Sequence, residues 1–168
     1  NWEMGRAARR GKATHTLIEQ YLKGLTPSER GVLPLGLFRL IKPYVDQIDN
    51  IHCLETIMYS KELTIAGQVD CIAEYNGKLS VIDFKTANKE RQESWIENYF
   101  MQTTAYAKMY EEIFGKKIEQ IVILLASEDG STQSFIKETK DYMTPLMKSI
   151  DDLYKYYEEL NKDKIQAS

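Results

Sequence analysis

The chain has 168 residues, 43% hydrophobic and 28% charged, with a formal net charge of −3. That is length for one domain with its own core, in the ordinary range for a soluble globular protein. The charge argues against a generic polyanion binder, although a local basic stripe matters more than the total. No run is long enough to cross a bilayer and no signal peptide is visible, so no membrane partner is expected. Two cysteines, Cys53 and Cys71, fit no metal or redox spacing. Buried free thiols in a reducing, cytoplasmic setting are expected, with organelle targeting upstream of Asn1 left open.

Residues 2–23 read as a helix stopped by Gly24, with Leu17, Ile18, Tyr21 and Leu22 at helical spacing. Its first half carries Arg6, Arg9, Arg10 and Lys12. His15 and Glu19 lie four apart and share a face. A lone helical histidine is either structural or, beside a metal, a ligand that a neighbouring glutamate can orient. Thr26-Pro27-Ser28-Glu29 reads as a turn into a short helix, and Leu33-Pro34 as a second break. Residues 35–48 form an amphipathic helix with Pro43 as a kink, serving packing alone.

Residues 51–59 read as a first strand in which Glu55 is the only charge, set either on the wet face or at a site. Residues 63–66 run into Gly67, which marks a bulge or a close backbone approach. Two apolar runs, 69–75 and 79–84, flank Asn76-Gly77, a strong hairpin signal. Alternation puts Asp83 and Lys85 on one face, and an antiparallel hairpin brings Asp70 near both. Two carboxylates and an ammonium then converge at one hairpin end. Either this is an exposed ion pair with nothing bound, or a hard divalent cation sits between the carboxylates.

A polar stretch, 87–93, leads to a helix over 95–114 stopped by Gly115. Gln102 and Tyr106 lie one turn apart on it, either as surface and core or as donors and π surface turned to the hairpin end. Residues 118–126 read as a buried strand, and Asp129-Gly130 turns into a short edge strand at 134–136. Residues 139–160 form a closing helix whose tyrosines are read as core packing, with a fraying tail after 161. The predicted order is helices, three meandering strands, a helix, a strand, a short strand and a helix: an α/β fold around a mixed sheet. The expected domain is 1–168, with a helical part (1–50), a sheet core (51–138) holding the 95–115 helix, and a closing helix (139–162).

Gly67-Gln68-Val69-Asp70 followed by Ile82-Asp83-Phe84-Lys85 resembles the PD-(D/E)XK nuclease signature. Gly11 to Glu19 resembles the G-x-x-x-H-x-x-x-E helix of its RecB-type branch, and Gln102 to Tyr106 its Q-x-x-x-Y motif. Each motif is weak alone, but three in order on suitable elements are specific, and the likeness runs from Gly11 to Leu160. It implies a restriction-endonuclease-like αβββαβ core with helices flanking the sheet. It also implies metal-dependent phosphodiester hydrolysis. Asp70, Asp83, the Phe84 carbonyl and His15 would hold one or two Mg²⁺ or Mn²⁺ ions, with Lys85 beside the attacking water. Gln102 and Tyr106 would hold the strand, and Arg6, Arg9, Arg10 and Lys12 would contact phosphates. Glu19, Glu55 and Thr86 are further candidates. Relatives with an iron–sulfur cluster carry four cysteines, so two place this chain in the cluster-free branch. The resemblance implies a DNA exonuclease on single-stranded ends. Its alternatives are an endonuclease for branched or duplex DNA and a non-catalytic binding module. Other replication or recombination proteins are expected partners.

Overall fold

The computed structural model describes residues 2–167; Asn1 and Ser168, the outermost positions of the expected domain, lie outside the described residues. Asn76 and Gly77 both take positive φ, 52° and 77°, as a tight hairpin turn requires. They join β2 (Ile65–Tyr75) to β3 (Lys78–Ala87) in antiparallel register, Tyr75 opposite Lys78. Before them lie α1 (Trp2–Leu22), α2 (Val32–Val45) and β1 (Ile48–Ser60). After them come α3 (Glu97–Phe114), β4 (Gln120–Ser127), β5 (Thr132–Glu138) and α4 (Met143–Ala167). The sheet order is β1-β2-β3-β4-β5, antiparallel except for the parallel pair β3–β4, which α3 connects. The fold class is thus the expected one, a mixed sheet flanked by helices.

Strand alternation sorts the core into two layers. Val81, Ile121 and Ile123 pack under α3 with Phe100, Met109 and Leu146. Ile82, Phe84, Val122 and Leu124 point the other way, against Ile18, Leu37, Ile41 and Val45 of α1 and α2. Each such fully buried side chain stabilises by roughly 1.5–3 kcal/mol. A run apolar at every position, as in β4, is what a strand covered on both faces needs.

Several local expectations are corrected. Residues 25–31 join α1 to α2 without the short helix expected after Pro27. Leu33-Pro34 does not break the chain: Pro34 is the third residue of α2, within the first turn, where a backbone N–H has no intrahelical partner to lose. Ile48 opens β1 instead of closing α2. Of the tyrosines expected to pack on the core, Tyr142 does so, against Phe100 just before α4, but the helix itself leaves the others outside. Leu146 is its only buried residue among those described, while Tyr154, Tyr156 and Tyr157 are exposed. Nor does the chain fray after 161, since α4 continues to Ala167.

Pairing of β2 with β3 ends at Cys71 opposite Ile82. Asp70 and Asp83 stand just past that last pair, where the strands part. Pairing of β1 with β2 skips Glu55, flanked by Leu54 opposite Cys71 and Thr56 opposite Val69. Glu55 has φ 48°, uncommon for a non-glycine residue.

Candidate active site

Where β2 parts from β3, both backbone polar groups of Phe84 turn to side chains instead of to the neighbouring strand. The Phe84 N–H donates to Asp70 Oδ2 at 2.9 Å. The Phe84 carbonyl accepts from His15 Nε2 at 2.5 Å. His15 is delivered by α1, which is seated by its buried Leu17 and Ile18. The other ring nitrogen of His15 lies 3.6 Å from Asp70 Oδ2 and 3.9 Å from Glu55 Oε1. Gln68, two residues before Asp70, donates to Glu55 Oε2 at 3.0 Å. His15, Glu55 and Asp70 offer ligand atoms within 4.8 Å of one another.

Lys85 Nζ sits 3.0 Å from Asp83 Oδ2 and 4.6 Å from the centre of the Tyr99 ring of α3. Hairpin alternation therefore does bring Asp83 and Lys85 together, and the hairpin end brings Asp70 beside them. A cleft of about 510 Å³ opens over the group, lined among others by Lys12, His15, Glu55, Gln68 and Lys85.

Burial and crowding of like charges shift the ionisable groups of this cluster. Burial, followed by the charge of Asp83, pushes the Asp70 carboxyl up to about 8, against the pull of His15. Burial alone would lower His15, but Glu55, Asp70, Asp83 and the Phe84 carbonyl outweigh it and raise the imidazole to about 9. Burial would likewise lower Lys85, yet Asp83 and Asp70 hold its ammonium above the ordinary value. Lys85 is a cation here, not a free base. Asp83 Oδ2 is buried and, despite the ammonium at 3.0 Å, has no aligned hydrogen-bond donor. Carboxylates, a backbone carbonyl and one imidazole, with an unsatisfied buried oxygen among them, fit a hard divalent cation.

On α3, Gln102 Nε2 donates to the Tyr106 hydroxyl at 3.2 Å. Tyr106 is buried, and the backbone approach expected at Gly67 is to its ring: a Cβ there would meet Tyr106 Cε1 at 2.8 Å. Burial raises the Tyr106 phenol, keeping it neutral. Arg6 and Arg10 do not face the cleft as free cations. Both engage Glu128, with Nη1–Oε1 distances of 3.2 and 2.9 Å. Arg10, itself buried, also donates to Thr86 Oγ1 at 3.3 Å and Asn88 Oδ1 at 2.5 Å. Glu19 pairs with Lys23 at 2.7 Å instead of orienting His15, although it lines the cleft.

Gln68, Tyr99 and Glu128 are the neighbours that sequence reading passed over. Gln68 could have been found from its place two residues before Asp70 on the same strand face. Tyr99 precedes Gln102 by three and Tyr106 by seven, one helical stripe. Glu128 had no such signal, because its two arginines lie 118 and 122 residues away.

Residues 38–168 match the profile of the PD-(D/E)XK nuclease superfamily, so α1 with His15 lies outside the match. Mitochondrial genome maintenance exonuclease 1 of Homo sapiens is 29% identical over 129 residues, 72% of this chain and 37% of that protein. The Mus musculus protein of the same name is 31% identical over 129 residues, 72% of this chain and again 37% of its own length. The chain thus spans little more than a third of these relatives. One component of the ATP-dependent helicase/nuclease of Clostridium kluyveri is 32% identical over 73 residues, 44% of this chain and 6% of that protein. A crystal structure of a candidate exonuclease from Eubacterium rectale superposes with a TM-score of 0.58 at 12% identity, covering 84% of this chain and 63% of that one. It bears on the fold alone.

Proposed function

The chain belongs to the PD-(D/E)XK nuclease superfamily, and from that premise we propose that it is a divalent-metal-dependent DNA exonuclease acting on single-stranded ends. The observation that carries this reading is the meeting of His15, Asp70, Asp83 and Lys85 about the Phe84 backbone, beside an open cleft that His15 and Lys85 line. Asp70, Asp83, the Phe84 carbonyl and His15 would hold one or two Mg²⁺ or Mn²⁺ ions, with Glu55 joining from β1. When bound, such an ion acidifies a coordinated water and offsets charge gathering on the phosphate.

The remaining work falls to the chain's own residues. Asp70 gives up the proton that burial and Asp83 make it keep, so ligation and ionisation go together. Lys85 stays an ammonium and stabilises the negative charge of the crowded phosphate, a role its raised pKa favours over that of general base. Water adds to phosphorus, the P–O ester bond breaks, and a phosphomonoester and a hydroxyl are left. Gln102 and the Tyr106 hydroxyl steady the strand beside the site. Arg6, Arg10 and Thr86 support the substrate from behind, by fixing α1 to the end of β3. The buried thiols suit a reducing compartment such as the cytoplasm. The likeness to a helicase/nuclease component favours replication or recombination proteins as partners.

One gel tests the reading. End-labelled single-stranded DNA should be degraded with Mg²⁺ or Mn²⁺ and spared with chelator, while closed circles persist. Cut circles would indicate an endonuclease, and binding without cleavage a non-catalytic module.

A further inference from the structure

Four basic side chains stud α1 before His15, and the fold divides them into two sets. Arg6 and Arg10 are spent on Glu128. Arg9 and Lys12 are exposed and form no ion pair among the described residues. Lys12 and Thr16 line the catalytic cleft, and both also line a second hollow of about 350 Å³ whose other walls are Arg9, Ala13, Ser28 and Glu29. The two depressions therefore join across one face of α1.

Resting on the nuclease reading above, we propose that Arg9 and Lys12 form a phosphate track that leads the substrate strand away from the cleft, between α1 and the 25–31 connection. The spacing suits a chain of phosphates. Residues three apart are surface neighbours on a helix, with a rise of about 4.5 Å between them. The far wall is held in place: the Ser28 hydroxyl accepts from Gln20 Nε2 at 2.9 Å, and the Ser28 N–H donates to Gln20 Oε1 at 3.1 Å. Its one acid, Glu29, is turned into its own loop, where Oε1 accepts the N–H groups of Arg30 at 2.8 Å and Gly31 at 2.6 Å. No aromatic ring lines this hollow. The track therefore grips backbone and leaves the bases unread, which gives sequence-neutral binding.

The test measures binding of a fluorescent oligothymidylate by anisotropy over a salt series, in an Asp83→Ala background that silences cleavage. Each phosphate contact on a single strand contributes about 0.7 to the slope of log affinity against log salt. Arg9→Ala with Lys12→Ala should lower that slope by about 1.4 and weaken binding roughly 10-fold near 0.1 M salt. Arg9→Lys should restore most of its share. Lys155→Ala with Lys162→Ala, the same loss of two positive charges on α4, should alter neither quantity. An unchanged slope in the double variant, with DNA cleavage by the unsubstituted protein intact, overturns the track and leaves the nuclease reading standing. Absence of both binding and cleavage by the unsubstituted protein overturns the two together.

Discussion

Asp83 is buried and paired with the half-buried Lys85, so removing either leaves the other without its counter-charge. Asp83→Ala or Lys85→Ala should lower the cleavage rate about 100- to 1,000-fold or more, while the near-ultraviolet circular dichroism of the fold persists. A variant cutting at the unsubstituted rate would remove that residue from the chemistry. The charge of Asp83 is also, after burial, the main reason that Asp70 holds its proton. Asp83→Asn should therefore bring the Asp70 carboxyl down from about 8, read as a shifted titration of its carboxyl carbon by NMR. At the same scale, Gly67 is there for want of a side chain. Gly67→Ala places a methyl 2.8 Å from Tyr106 Cε1, an overpacking cost of about 1–3 kcal/mol in chemical denaturation. Tyr106→Phe keeps that carbon and should not rescue it.

Among the elements, α1 and the end of β3 are joined by a polar clasp, Arg10 with Thr86, Asn88 and Glu128. Glu128→Ala leaves a buried guanidinium without its charged acceptor and should cost about 1–3 kcal/mol, seen as a lower denaturation midpoint. Elements with a strong local code were legible from sequence. Asn76-Gly77 announced the hairpin, and alternation placed Asp83 with Lys85. Boundaries decided by tertiary contact were not. Ile48 continues the apolar pattern of α2, yet it pairs with Tyr75 in the sheet. The tyrosines of α4 repeat at core-like spacing, but the helix outruns the body it packs on, and only the sheet's extent decides where that happens. The three arginines and Lys12 of α1 looked like four equal phosphate contacts because Glu128 is remote in sequence. The candidate metal ligands were named as a set through family resemblance, whereas the place of Glu55 depends on its unpaired, positive-φ position in β1, which no local pattern encodes.

For the molecule as a whole, stability should depend on pH in one direction. Asp70 rises from 3.8 unfolded to about 8 folded, so between those values the native state binds the extra proton and stability falls as pH climbs. His15 rises from 6.5 to about 9, so its contribution is complete below 6.5 and lost as pH passes 9. Both shifts act together, and the metal-free protein should melt at lower temperature at pH 8 than at pH 6. On the metal-dependent reading proposed above, a divalent cation would take the place of those protons. Added Mn²⁺ should raise the melting temperature more at pH 8 than at pH 6; equal shifts at both would mean that neither group ionises on binding. No helix among the described residues is long and apolar enough to cross a membrane. The cleft draws on four segments, α1, β1, β2 and β3, and His15 meets a peptide 69 positions further along. A nascent chain leaving the ribosome thus carries its imidazole long before the strands that complete the centre. On the nuclease reading, no cutting centre would exist until the sheet closes and the first helix docks, a latency that would spare nearby nucleic acid from a half-made enzyme.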